Sequence, residues 1–420
     1  MARAPRLRWA NLAPARMVRR LVDLLGPTRG AARQSLTALA FNSVTSFVAG
    51  AVLVGLTDTF ARLPGLLVLV PAAIGLRGNV FSTLGNRLST SIHTGEFRLS
   101  FRRESVLSQN LRSAFCLTLT MSVILAVVAK VIAVGVGTTD TISVLDLITI
   151  SVIGGLLGSI PVALASIGLT VGAVRFDWDL DNLVAPTVST LGDVFTIPAL
   201  WLAAEWIGTG RVSNGLAIAM IAITVVVTIA SWRSSYDLLR QAVRESFPVL
   251  VVALVLSTFA GMVLQTQLTV LDSLPALFLM VPAFVSSAGA LGGILSGRVA
   301  TNLHLGSVEP TLVPGRQVRR DTAFLFGLAA PVFLFNAIGA YVVSGWQSDA
   351  VPALGWTVLT CLIAAVFTML FVVAIGYYAT IGAWRVEVDP DTFGTPLVTS
   401  SVDFVGVVAV VFTAVTLGLT

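Results

Sequence analysis

Leu69-Val-Pro71-Ala-Ala-Ile-Gly-Leu-Arg77-Gly78-Asn79 returns 211 residues later as Met280-Val-Pro282-Ala-Phe-Val-Ser-Ser-Ala288-Gly289-Ala290. The register extends outward from this stretch. Pro64, Leu84, Arg87, Thr90, His93 and Gly95 have counterparts in Pro275, Leu295, Arg298, Thr301, His304 and Gly306 at the same offset of 211. Further on, an offset of 210 pairs Asp179, Asp181, Pro186 and Asp193 with Asp389, Asp391, Pro396 and Asp403, so one residue has been lost between the blocks. Agreement of this length is a duplication. The fold follows from what the duplicated unit contains.

The chain has 420 residues, 56% of them hydrophobic and only 11% charged, with a mean hydropathy of +0.92. Soluble domains carry about a quarter charged residues, so the expected class is an all-α polytopic membrane protein. About eleven spans fit, near residues 36–58, 64–93, 107–136, 143–174, 184–208, 213–232, 247–270, 275–304, 322–345, 353–380 and 392–418. Thirty-six glycines suit closely packed helices. Cys116 and Cys361 lie in separate apolar runs and fit neither a disulfide framework nor a metal spacing. The net charge of +5 is no nucleic-acid footprint, because the arginines gather at segment ends.

Four regions result: a basic cytoplasmic segment (1–35), a first repeat (36–208), a linker span with a basic loop (209–245) and a second repeat (246–420). Each repeat holds five spans. Five is odd, so the linker helix is what turns both repeats the same way, related by an axis along the membrane normal. The first 33 residues carry eight arginines, and the segments that fall on the same side add most of the rest. The positive-inside bias therefore puts the N-terminus in the cytoplasm and the C-terminus outside, in the cell membrane. The basic N-terminus lacks the apolar core and cleavage site of a signal peptide, so it is expected to be retained. It suits the anionic inner leaflet.

Pro186-Thr-Val-Ser189-Thr-Leu-Gly-Asp193 and Pro396-Leu-Val-Thr399-Ser-Ser-Val-Asp403 each place a carboxylate two helical turns after a proline, on one helix face. An aspartate in mid-membrane is costly and marks an ion or proton path by default. Two at matched positions suggest a pair that meets. The rival readings are a satisfied buried polar group or an ion pair with Arg77 or Arg298. Ser189 and Thr399, one turn earlier, offer a hydroxyl to the path or a back-bond to their own helix. Gly78, Asn79 and Gly289 follow Pro71 and Pro282, where freed carbonyls line a pore or the helix simply kinks. Asn42 and Gln265 read as interhelical hydrogen bonders. His93 and His304 read as helix-end features. Asp177, Asp179 and Asp181, with Glu387, Asp389 and Asp391, precede the aspartate helices; they stabilise helix N-termini or gather cations at the cytoplasmic mouth.

On these residues the chain resembles the MgtE-type magnesium transporters, and most closely their tandem relatives in solute carrier family forty-one. The Pro71 to Gly95 block looks like the family's second membrane helix and the Asp179 to Asp193 block like its fifth; both occur in each half. The resemblance implies a divalent-cation pathway between two five-helix units, with Asp193 and Asp403 binding the ion and Gly78-Asn79 forming the family's kink. The second repeat departs from the motif with Gly289-Ala290 and lacks the amide. With about 33 residues before the first span, gating by a large soluble sensor is not expected.

The chemistry agrees. Mg2+ retains its water and takes one or two carboxylates within an octahedral oxygen shell. The expected function is membrane transport of Mg2+, the ion being cargo, with no organic cofactor, no enzymatic step and no nucleic-acid partner. The partners are the cation and the bilayer, and a pseudo-dimer lets one chain act as a monomer. The alternatives are a Na+-coupled carrier of a small solute and a Mg2+-dependent membrane transferase. The parallel repeat argues against the first, and the sparse acidic loops argue against the second.

Overall fold

A computed structural model describes residues 29–93, 95–137, 141–176, 180–207, 211–267, 275–304, 306–347, 353–388 and 390–417. In chain order the helices are α1 (Arg29–Val54), α2 (Thr57–Arg62), α3 (Leu66–His93), α4 (Val106–Gly135), α5 (Val144–Phe176), α6 (Leu180–Ile207), α7 (Arg211–Trp232), α8 (Asp237–Thr266), α9 (Pro275–His304), α10 (Arg316–Gln347), α11 (Leu354–Arg385) and α12 (Pro390–Thr416). The described residues contain no strand, and ten helices are long and apolar enough to cross a membrane. The chain is an all-α, multi-pass membrane protein. Eleven spans are expected from the sequence; the remaining long helix is α6, 28 residues with Asp193 near its middle.

Several helices outrun their apolar stretches. α8 starts at Asp237 rather than near 247 because Asp237, Arg240, Gln241 and Arg244 continue the helix as polar first turns. Here Arg240 pairs with Asp237 at 2.5 Å and Gln241 donates to Glu245 at 2.7 Å. α10 likewise starts at Arg316 rather than near 322. α1 stops at Val54, short of 58, and α2 caps it. The helices pass through Pro71 and Pro282 without a break, so any kink at those prolines falls within one continuous element.

The two halves cross at their first helices. α1 packs against α6 of its own half but also against α9 and α10 of the other. α8 does the same in reverse, lying against α12 and against α3 and α4. Two glycines 211 residues apart make the crossing possible. A Cβ on Gly50 of α1 would stand 2.7 Å from the Leu279 carbonyl oxygen of α9, and one on Gly261 of α8 would collide with the Val68 carbonyl of α3. Leu279 and Val68 are themselves 211 residues apart. Helix backbones approach this closely in a membrane only where the side chain is absent. The linker α7 lies outside, against α4, α5 and α8, tied by a 2.6 Å hydrogen bond between the hydroxyls of Thr120 and Thr228.

Arg298 belongs to this framework. Its Nη1 donates to Oδ1 of the buried Asp321 on α10 at 3.1 Å, and its guanidinium lies 4.0 Å from the Phe324 ring centroid. Asp321→Ala removes the partner of a half-buried cation, with an expected cost of about 2 kcal/mol. Arg298→Met combined with Asp321→Leu should recover most of it, as read by thermal unfolding in detergent.

Candidate functional site

Both aspartates sit in mid-helix where the halves meet. Asp193 on α6 is 5% exposed. Its Oδ2 accepts hydrogen bonds from Ser46 Oγ of α1 at 2.9 Å and from Ser286 Oγ of α9 at 3.1 Å. Ser286 in turn exchanges hydrogen bonds with the Asn42 amide, at 3.0 Å to Nδ2 and 3.1 Å to Oδ1. Asn42 is thus the interhelical hydrogen bonder expected of it, and it reaches the other half to do so.

Asp403 on α12 repeats the arrangement in reduced form. Its Oδ2 accepts from Ser257 Oγ of α8 at 2.6 Å. Ser257 is Ser46 plus 211. The counterpart of Ser286 is Gly75, whose missing Cβ would lie 3.3 Å from the same Oδ2, and the counterpart of Asn42 is Ala253. One carboxylate therefore has two hydroxyl donors backed by an amide, and the other has one donor and a bare glycine. Asp403 is also the less buried of the two.

Around the pair the candidates divide. Asn79 is buried and its Oδ1 accepts from Thr399 Oγ1 across the halves at 3.3 Å. Thr399 also donates back to the Thr395 carbonyl at 3.0 Å and to Pro396 at 3.2 Å, so the path reading and the back-bond reading share one hydroxyl. Gly78 faces open space, while a Cβ on Gly289 would rest 3.8 Å from the Thr399 methyl. The side chains of Ser189, Asp181 and Asp391, and residues Asp177, Asp179 and Asp389, lie outside the described residues. Glu387 is exposed, with a left-handed φ of 58° in the turn before α12. His304 is an exposed helix-end residue with its ring 5.0 Å from that of Trp384.

Neither arginine proposed as a rival partner holds Asp193 or Asp403: Arg298 is taken by Asp321, and among the described residues Arg77 donates to the Ala73 carbonyl of its own helix. Two narrow clefts that share Asn79 and Leu250 run between α3 and α8. One is lined by Thr83, Arg87 and Ser246, the other by Ser257 and Ser400. Arg87, at the first, pairs with Glu245 at 3.6 Å, and Ser257, at the second, is the hydroxyl that holds Asp403.

Among the described residues no three His, Cys, Asp or Glu side chains cluster as a metal-holding group. The site offers two carboxylates, hydroxyls and an amide. That set suits an ion which keeps part of its water, because such an ion needs few direct protein ligands. Ser46, Ser257, Ser286 and Gly75 are absent from the residues singled out by motif. The shared offset of Ser46 and Ser257 was the available signal, but a serine in an apolar run has no reading until its partner is known.

The family model described as "Divalent cation transporter", MgtE, matches residues 70–203 and again residues 281–413. Among curated proteins, solute carrier family 41 member 3 of Rattus norvegicus is 25% identical over 369 residues, covering 83% of this chain and 78% of the relative. Solute carrier family 41 member 2 is 25% identical over 378 residues in Xenopus laevis and over 379 residues in Homo sapiens, covering 83% of this chain and 65% and 63% of those proteins. No solved structure matches the chain.

Proposed function

Since the chain belongs to the MgtE family of divalent cation transporters, we propose that it carries partly hydrated Mg2+ between its two halves, with Asp193 and Asp403 as the shared site. Transport of divalent cations across a membrane is its function; the ion, the site and the route are the finer reading. The matched pairs Ser46–Asp193 and Ser257–Asp403 carry that reading. Each carboxylate is held by the first helix of its own half and approached by a helix of the other, Asp193 by α9 through Ser286 and Asp403 by α3 at Gly75. Two carboxylates brought together without a cation repel, and a divalent charge turns that repulsion into attraction. Asp403, the less buried of the two, is the carboxylate that an entering ion meets first. One chain supplies both halves, so the unit of function is a monomer.

Mg2+ flux into proteoliposomes tests this. The parent chain should carry Mg2+, and Asp193→Asn/Asp403→Asn should not, with protein of equal monodispersity. Parental flux in that double variant would refute the central site.

A further inference from the structure

Two hydroxyl protons converge on one oxygen of Asp193. Ser46 Oγ of α1 donates to Oδ2 at 2.9 Å, and Ser286 Oγ of α9 donates to the same atom at 3.1 Å. A carboxylate oxygen has about two lone-pair sites, so both at Oδ2 are taken. Among the described residues Oδ1 receives no hydrogen bond.

The buried Asn42 stands behind this arrangement. Its Nδ2 donates to Ser286 Oγ at 3.0 Å, while its Oδ1 lies 3.1 Å from the same hydroxyl. Ser286 has one proton and two acceptors within reach. A hydrogen bond to an ionised carboxylate is about twice as strong as one to a neutral amide, so the proton goes to Asp193 and the amide N–H fills a lone pair of Oγ. Asn42 thereby fixes the direction in which Ser286 donates. The helices do not need Asn42 to stay joined. The next rung of the same crossing runs from Ser43 Oγ to Ser287 Oγ at 3.1 Å, and Asn336 Nδ2 of α10 donates to Ser287 Oγ at 2.9 Å. The second half has neither rung: at the offset of 211, Asn42 and Ser286 answer to Ala253 and Gly75, and Ser43 and Ser287 answer to Leu254 and Leu76. Among the described residues Asp403 Oδ2 has the Ser257 donor alone.

We propose that Ser286, positioned by Asn42, makes Asp193 a one-oxygen ligand and so sets the preference of the site for Mg2+ over Ca2+. This rests on the Asp193–Asp403 reading. Mg2+ holds its oxygens at about 2.0–2.1 Å in a near-ideal octahedron, and the two oxygens of one carboxylate lie too close together to span neighbouring corners of it. Ca2+ takes about six to eight oxygens at about 2.3–2.6 Å in a flexible shell and accepts a carboxylate through one oxygen or both. With Oδ2 filled by two protons, Mg2+ keeps the single bond through Oδ1 that it needs. Ca2+ is denied the second bond that it would add. Ser286 and Asn42 are positioning residues here; neither touches the ion.

The experiment reads thermal stabilisation of the purified chain by Mg2+ and by Ca2+, and Mg2+ flux into proteoliposomes against added Ca2+. The result is taken as the ratio of the two affinities, because losing a donor proton strengthens the carboxylate for both ions. Ser286→Ala should move that ratio toward Ca2+ about tenfold. Asn42→Ala should move it the same way by less, since the serine hydroxyl is then released to back-bond to its own helix. The double variant should match Ser286→Ala, because Asn42 acts through Ser286. Ser286→Thr keeps the hydroxyl and should keep the parental ratio, and Ser43→Ala should lower stability without moving it. A parental ratio in folded Ser286→Ala overturns the proposal, and so does an equal shift in Ser43→Ala, which makes the effect one of helix packing. If Ser286→Ala does not fold, Ser286→Gly, which copies Gly75, is judged by the same ratio. If Asp193→Asn binds Mg2+ as the parent does, the site reading falls. If it loses Mg2+ binding while Ser286→Ala keeps the parental ratio, only the selectivity role falls.

Discussion

Asp403→Asn alone is expected to lower Mg2+ flux at least a hundredfold while the protein stays folded. The two halves of that statement have separate causes. Asparagine is isosteric and keeps an oxygen to accept from Ser257 Oγ, now 2.6 Å from Oδ2, so α8 and α12 stay joined. Gly75 leaves room on the other side, where a Cβ would be 3.3 Å from that oxygen. What disappears is the charge. A divalent ion within about 4–5 Å of a carboxylate gains several kcal/mol even at an effective dielectric of about 20, and a hundredfold loss requires only about 2.7 kcal/mol. Asp403→Ala has a different outcome, since it also strands the Ser257 hydroxyl and should add about 1–2 kcal/mol of instability. Flux and thermal unfolding measured on both variants separate the electrostatic from the structural contribution. Equal flux losses with unequal stabilities are the expected result. Asp403→Asn with more than half the parental flux would remove Asp403 from the path.

The asymmetry of the pair sharpens this. Asp193 is held by Ser46 and Ser286, with Asn42 behind them, and is the more buried carboxylate. Asp403 has one hydroxyl, Ser257, and is the less buried carboxylate. On the proposed reading the shared site has one firmly held carboxylate and one with a single donor.

How far the sequence foretold this can be stated residue by residue. The repeat put Asp193 and Asp403 at matched positions, and both lie in mid-helix at the meeting of the halves. Asn42 was legible as an interhelical hydrogen bonder because an amide in an apolar run has few other uses. The crossing of α1 and α8 into the opposite halves was not legible. Hydropathy marks a helix as membrane-spanning but does not say which of its apolar faces meets which neighbour. Gly50 and Gly261 obeyed the 211 offset all along, but a glycine in an apolar run signals close approach only once the approaching backbone is known. Arg77 stood in the sequence only as a rival ion-pair partner for an aspartate, and the close approach of Gly155 and Gly158 of α5 to its guanidinium shows where the head group goes.

Gly261→Ala is the substitution expected to damage the fold most. The added methyl would overlap the Val68 backbone, with the carbonyl carbon of Val68 at 2.8 Å and its Cα at 2.9 Å. Side-chain rotation relieves nothing, because the three nearest atoms are all main chain of Val68. α8 must then move off α3, and that movement costs more than a methyl usually does. α8 also carries Ser257, one helical turn from Gly261, so a shift there lengthens the hydroxyl contact to Asp403. Overpacking a well-packed core costs about 1–3 kcal/mol, and a clash confined to backbone belongs at or above the top of that range. Gly50→Ala, 2.7 Å from the Leu279 oxygen, should be damaging for the same reason, but its worst overlap is less severe. The expected order of thermal stability is therefore parent, then Gly50→Ala, then Gly261→Ala, with flux falling in the same order. As a control, Gly345→Ala at the end of α10 faces open space and should match the parent. If Gly261→Ala melts with the parent, the two halves do not cross as described. The shared position of the aspartates between them would then lose its structural basis.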